Sequence, residues 1–167
     1  MSQIYRKLTK SDESGFTLIE LMVVILIMGI LAAIAIPTFL GARTSAQNKA
    51  AETDLRNLLT SESVAYTNTQ QYANNTALIA LDPAYTKELG SGGTITVTTG
   101  TGSSTAPAFV CLSEAAASGT TFAIADIATG PGAGTYYYSG SGGPGCTLDT
   151  STGGMTGYHS SAANAGW

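Results

Sequence analysis

Leu21 to Ala42 is a run of 22 residues without a charged side chain, and no other feature limits the fold so strongly. Coiled as a helix rising about 1.5 Å per residue, it spans the roughly 30 Å hydrocarbon core of a bilayer. Arg6, Lys7 and Lys10 precede it. The positive-inside rule keeps such a cluster cytoplasmic, so the chain after Ala42 is expected outside. Three readings compete. In a secretory signal, Ala33-Ile34-Ala35 supplies the small-x-small cleavage site. A plain single-span anchor is the second. The third must account for Glu20, a carboxylate at the start of the apolar run. A charge costs about 2.5–3.5 kcal/mol at a membrane helix centre and less near the interface. Glu20 therefore either reaches into the head groups or waits for a cationic partner. No Lys or Arg lies between Lys10 and Arg43. A new N-terminal amine would serve if the chain were cut just before Phe16.

Composition changes steeply along the chain. Residues 16–42 hold one charged side chain, Glu20. Residues 90–167 hold three, Glu114, Asp126 and Asp149, and no Lys or Arg. Of the 20 glycines, 17 lie at Gly90 or later. A chain of 167 residues has room for one domain of ordinary size, which argues against a multidomain enzyme. The net charge of −4 argues against nucleic acid as a partner, since phosphate contacts need clustered Lys and Arg.

The string Gly15-Phe16-Thr17-Leu18-Ile19-Glu20-Leu21-Met22-Val23-Val24, followed by Ile25 to Pro37, resembles the class III leader and first helix of type IV pilins and pseudopilins. The resemblance runs from Lys7 to about Leu59. It implies that residues 1–15 are a leader, removed after Gly15 by a prepilin peptidase, a membrane aspartyl protease, which also methylates the new amine of Phe16. A residue without a side chain suits close approach by a protease. The resemblance further implies that Glu20 pairs with the Phe16 amine, its own or a neighbour's. Pairing accompanies the passage of subunits from the membrane, through an inner-membrane assembly platform, into a homo-oligomeric helical filament at the cell surface. It also disfavours the signal-peptide reading, because cleavage at Ala35 would discard the assembly helix. The mature chain, residues 16–167, carries four basic and nine acidic side chains, a net −5.

Pro37 removes a backbone donor inside the helical pattern and predicts a kink, with Gly29 a second weak point. The family resemblance implies that Gly29–Pro37 can unravel in a packed filament. From residue 43 the pattern turns amphipathic. Ala51, Leu55, Leu58, Leu59 and Ala65 or Tyr66 form one stripe, expected to pack on a sheet. Lys49, Glu52 and Arg56 are placed on the opposite face, with Glu52 and Arg56 an i,i+4 pair. A helix over about 16–67 is about 78 Å long, its half at 16–42 apolar and its half at 43–67 amphipathic.

Residues 68–167 read as a globular head. A short helical piece near Ala77–Leu81 leads to Asp82-Pro83. Strand signals follow at Thr94–Thr98, Phe109–Leu112, Thr121–Ile127 and Tyr136–Tyr138, separated by Gly-rich turns. The expectation is an α+β fold of the type IV pilin kind: one long helix on an antiparallel sheet of about four strands. The three tyrosines read as sheet-face packing rather than a conductive path.

Cys111 and Cys146 are the only cysteines. In an exported chain an even pair reads as a disulfide, with two buried thiols the alternative. In type IV pilins a C-terminal pair bounds a surface loop region. Here 21 residues follow Cys146, a longer tail than many relatives show. No catalytic motif, cofactor signature or metal-ligand spacing is present, and the lone His159 lies in a Ser/Gly tail. The chain therefore reads as no enzyme but as a pilus subunit, with a secretion or DNA-uptake pseudopilin and a tip-located binding pilin as alternatives.

Overall fold

The computed structural model describes residues 15–102, 107–149, 151 and 153–160. The leader residues 1–14, Arg6, Lys7 and Lys10 among them, and residues 161–167 lie outside the described residues. The chain divides into two compact units, Met1–Ala42 and Arg43–Trp167. Helix α1 (Leu18–Thr69) has 52 residues and contributes to both. It starts and stops two residues later than the 16–67 expected.

In the first unit α1 is helical throughout, Pro37 included. Its large apolar side chains are exposed, Met22, Ile25 and Leu26 among them. A helix apolar on all sides is stable only where something apolar surrounds it. This stretch is long and apolar enough to cross a membrane.

In the second unit the stripe of α1 is buried at Ala51, Leu55, Leu58, Glu62 and Ala65. The spacing is four, three, four, three, which keeps one helical face inward. Glu62 occupies a core position that a hydrophobic pattern skips. Glu52 also departs from expectation. It is buried and bonded to Lys49 at 2.6 Å, because position 52 borders Ala51 and Leu55 at the stripe's edge. The helix ends where Gln70 takes a left-handed conformation, φ 57°, its N–H donating to the Tyr66 carbonyl at 2.7 Å.

Helix α2 (Asn75–Leu81) opens with the Asn74 side chain accepting the Ala77 N–H. Asp82 then accepts from the Ala84 N–H, and Pro83 opens a 3-10 turn to Tyr85. A single turn, α3 (Thr86–Leu89), follows. The strands β1 (Ile95–Gly100), β2 (Phe109–Ala115), β3 (Thr121–Ile127), β4 (Gly134–Gly140) and β5 (His159–Ser160) form one antiparallel sheet in chain order. Four strands were legible. The fifth adds Ser160 beside Tyr136 and His159 beside Tyr137. Two residues are too few to show a period of two.

Alternation gives the sheet two working faces. Ile95, Val110, Leu112, Phe122 and Ile124 face α1 and pack with Leu55, Leu58, Leu78 and Leu89. Full burial of each Leu or Ile contributes about 1.5–3 kcal/mol. The opposite face carries Cys111, Ala123, Ala125 and Ile127, covered by Met155 and Tyr158. The tyrosines of β4 split accordingly. Tyr137 faces the helix, while Tyr136 and Tyr138 face the outer layer.

Candidate functional site

Chain neighbours aside, nothing among the described residues lies within 4 Å of where a Cβ on Gly15 would stand. Phe16 is 86% exposed. Thr17 precedes the first residue of α1, and Glu20 is the third helical residue. Their side chains close a reciprocal cap. The Glu20 carboxylate accepts from the Thr17 N–H at 3.3 Å and from the Thr17 hydroxyl at 3.1 Å, while Thr17 Oγ1 accepts the Glu20 N–H at 3.3 Å. This is a capping box, and its T-x-x-E signature was readable in the sequence. The negative charge also sits at the positive end of the helix dipole. Within the isolated chain Glu20 therefore has local partners, a third role beside the head-group and cation alternatives.

Space around Gly29 is open, with nothing within 4 Å of an added Cβ. Pro37 sits inside α1. One residue on, the Thr38 hydroxyl donates to the Ile34 carbonyl at 3.1 Å.

Cys111 and Cys146 form a disulfide with Cα atoms 6.0 Å apart. Cys111 lies in the middle of β2, paired with Thr98 and Ala125. The bond ties the outer sheet face to the start of a strap, Cys146 to Ser160. Leu148 bridges Met155, and the Tyr158 hydroxyl lies 2.7 Å from Cys111 Sγ. Burial pushes the Tyr158 phenol up to about 12. His159 is exposed on β5.

Two groups of carboxylates escaped the sequence reading. Asp54, Glu88 and Glu114 lie close enough to interact; burial first, then repulsion from Glu88, raises Asp54. Burial also raises Glu114, against a hydrogen bond from Thr94 and with Asp54 and Glu88 adding to it. Asp54 and Glu88 line a small cleft of about 150 Å³. Among the described residues no group of three or more His, Cys, Asp or Glu is placed to hold a metal. The second group joins Glu62 to the turn after α1. Glu62 Oε2 accepts the Ala73 N–H at 2.8 Å, and Tyr72 donates to Asp126 at 2.6 Å. Thr135 donates to the other Asp126 oxygen. These acids come together only through tertiary folding, from α1, α3, β2 and β3, so no local motif announces them.

Residues 10–36 match the family described as the prokaryotic N-terminal methylation motif. The N-terminal segment carries that motif, which runs into the apolar half of α1. Among curated proteins, this chain is 43% identical over 60 residues to the type IV major pilin protein PilA of Myxococcus xanthus, covering 36% of this chain and 27% of that protein. It is 46% identical over 46 residues to type II secretion system core protein G of Aeromonas hydrophila, covering 28% of this chain and 32% of that one. The core protein G of Pseudomonas aeruginosa is 37% identical over 68 residues, covering 37% of this chain and 48% of that protein. The chain thus spans under half the length of these relatives. No solved structure matches it. Its motif and apolar helix fit a membrane-anchored precursor.

Proposed function

We propose that this chain is a prepilin, the precursor of a structural subunit, the major pilin, of a type IV pilus. The observation that carries the reading is the methylation motif at residues 10–36 running into an exposed apolar helix. In this reading a prepilin peptidase cuts between Gly15 and Phe16 and methylates Phe16. The open space around Gly15 and the exposure of Phe16 support access to that bond. Residues 16–42 first hold the chain in the inner membrane. They then form the filament core, while residues 68–167 make the outer coat. In a low-dielectric core a neighbour's Phe16 amine neutralises Glu20, and a misplaced subunit leaves both charges buried and unpaired. The pair selects the axial offset. Gly29 and Pro37 supply the compliance that lets the rod stretch.

A second reading, a pseudopilin of a secretion system, is favoured by the matches to core protein G. A third, a minor tip pilin, shares the same front end. Copy number separates them. Mass spectrometry of filaments sheared from the cells should find this chain dominant, beginning at N-methylated Phe16. Its absence from surface filaments would overturn the pilus reading. An N-terminus at Met1 or Ile36 would overturn the processing.

A further inference from the structure

Glu62 is the one fully buried ionisable side chain on the packed stripe of α1, at 0% exposure. A buried carboxylate needs partners for both oxygens or a way to lose its charge. Only Oε2 has a partner, the Ala73 N–H at 2.8 Å, and Oε1 has none. That bond reaches from α1 to the turn that follows it. The turn begins at Gln70 in its left-handed conformation. It is tied down a second time by Tyr72, which donates to Asp126 on β3. Tyr72 also lies against Tyr66 of α1, ring centroids 4.8 Å apart. Residues of this turn, Tyr72, Ala73 and Asn74, form one wall of a cleft of about 490 Å³ whose other wall is Ala77, Ala80 and Leu81 of α2.

We propose that Glu62 and the turn Gln70–Asn74 form a proton-operated latch, closed while Glu62 is neutral, that loosens on ionisation and reshapes the cleft beside α2. The neutral acid still accepts the Ala73 N–H. The ionised form keeps that bond but strands a charge on Oε1 in the core, and water can reach it only if the turn lifts. The titratable groups facing this region are Tyr66 on α1, Tyr72 on the turn, Asp126 on β3 and Tyr137 on β4. The segment Asn75–Leu81 of α2 contains none. Burial raises the Glu62 carboxyl from 4.5 to about 7, opposed only by the Ala73 hydrogen bond. The sign follows. The folded value lies above that of the opened state, so the closed latch is at full strength below about pH 4.5. It weakens as pH rises to about 7, with little further change beyond.

The test is amide exchange of the full-length chain in detergent micelles. Exchange itself accelerates about tenfold per pH unit, and latch opening adds about sixfold more per unit between pH 5 and 7. The Ala73 amide should therefore gain about 60-fold per unit over that window, with an extra acceleration of about 300-fold between the limits well below pH 4.5 and well above pH 7. The Ile124 amide, in the middle of β3, should follow the ordinary slope, as should Ala73 in Glu62→Gln. An ordinary slope at Ala73 in the native chain would overturn the latch. So would an equally steep slope at Ile124, which would mean global unfolding instead. Should Glu62→Gln fail to fold, the side-chain carboxyl of Glu62 can be titrated by NMR in the native chain. A midpoint near 7 supports the latch and one near 4.5 refutes it.

Discussion

Replacing Cys111 and Cys146 together by Ala separates what the disulfide does from what packing does. The bond closes a loop of 34 intervening residues, for which denatured-chain entropy gives about 4 kcal/mol at 25 °C. In a chain of this size that corresponds to a fall in melting temperature of about 8–16 °C. The structure also says where the loss should appear first. Among the described residues of the strap from Cys146 to Ser160, the buried hydrophobic side chains are Met155 and Tyr158, with Leu148 partly covered. β5 contributes only two paired residues. Without the bond, the strap should leave the outer sheet face before α1 separates from the inner one. Guanidinium titration of the full-length chain in detergent, followed by circular dichroism, measures the total. Limited proteolysis locates the opening, with cuts expected between Cys146 and Tyr158. A loss below about 1 kcal/mol would refute the loop-closure reasoning. First cuts within residues 43–69 would refute the placement of the strap as the weaker layer.

Two further substitutions probe the front helix and the core. If Glu20 acts through its charge, Glu20→Gln should abolish filaments although Gln still completes the capping box, whereas Thr17→Val should break the box and leave filaments forming; normal filament yield from Glu20→Gln would leave Glu20 a helix cap only. Leu58→Ala removes a side chain at 0% exposure from the α1–sheet core and should cost about 3–4 kcal/mol in a denaturant titration; a loss under 1 kcal/mol would mean that the site collapses without a cavity.

Most of the helix and sheet was legible because each depends on local period. The apolar run Leu21–Ala42 needs only its own composition, and Ala51, Leu55, Leu58 and Ala65 recur on one face of any helix. Strands β1 to β4 announced themselves through β-branched and aromatic residues between glycine-rich turns. The capping box of Thr17 and Glu20 is equally local, lying within four residues, yet a reading of Glu20 as a lone carboxylate passes over it. Tertiary structure alone decided the rest. Glu52 and Glu62 are polar residues at or beside stripe positions, and only the packing of the folded chain decides that they are buried. The strap and β5 pair with residues far back in the chain, where the two-residue strand carries no signal of its own. Asp54, Glu88 and Glu114 are separated by 34 and then 26 residues. Their repulsion exists only because α1, α3 and β2 bring them to one place, and no sequence pattern records a distance through space.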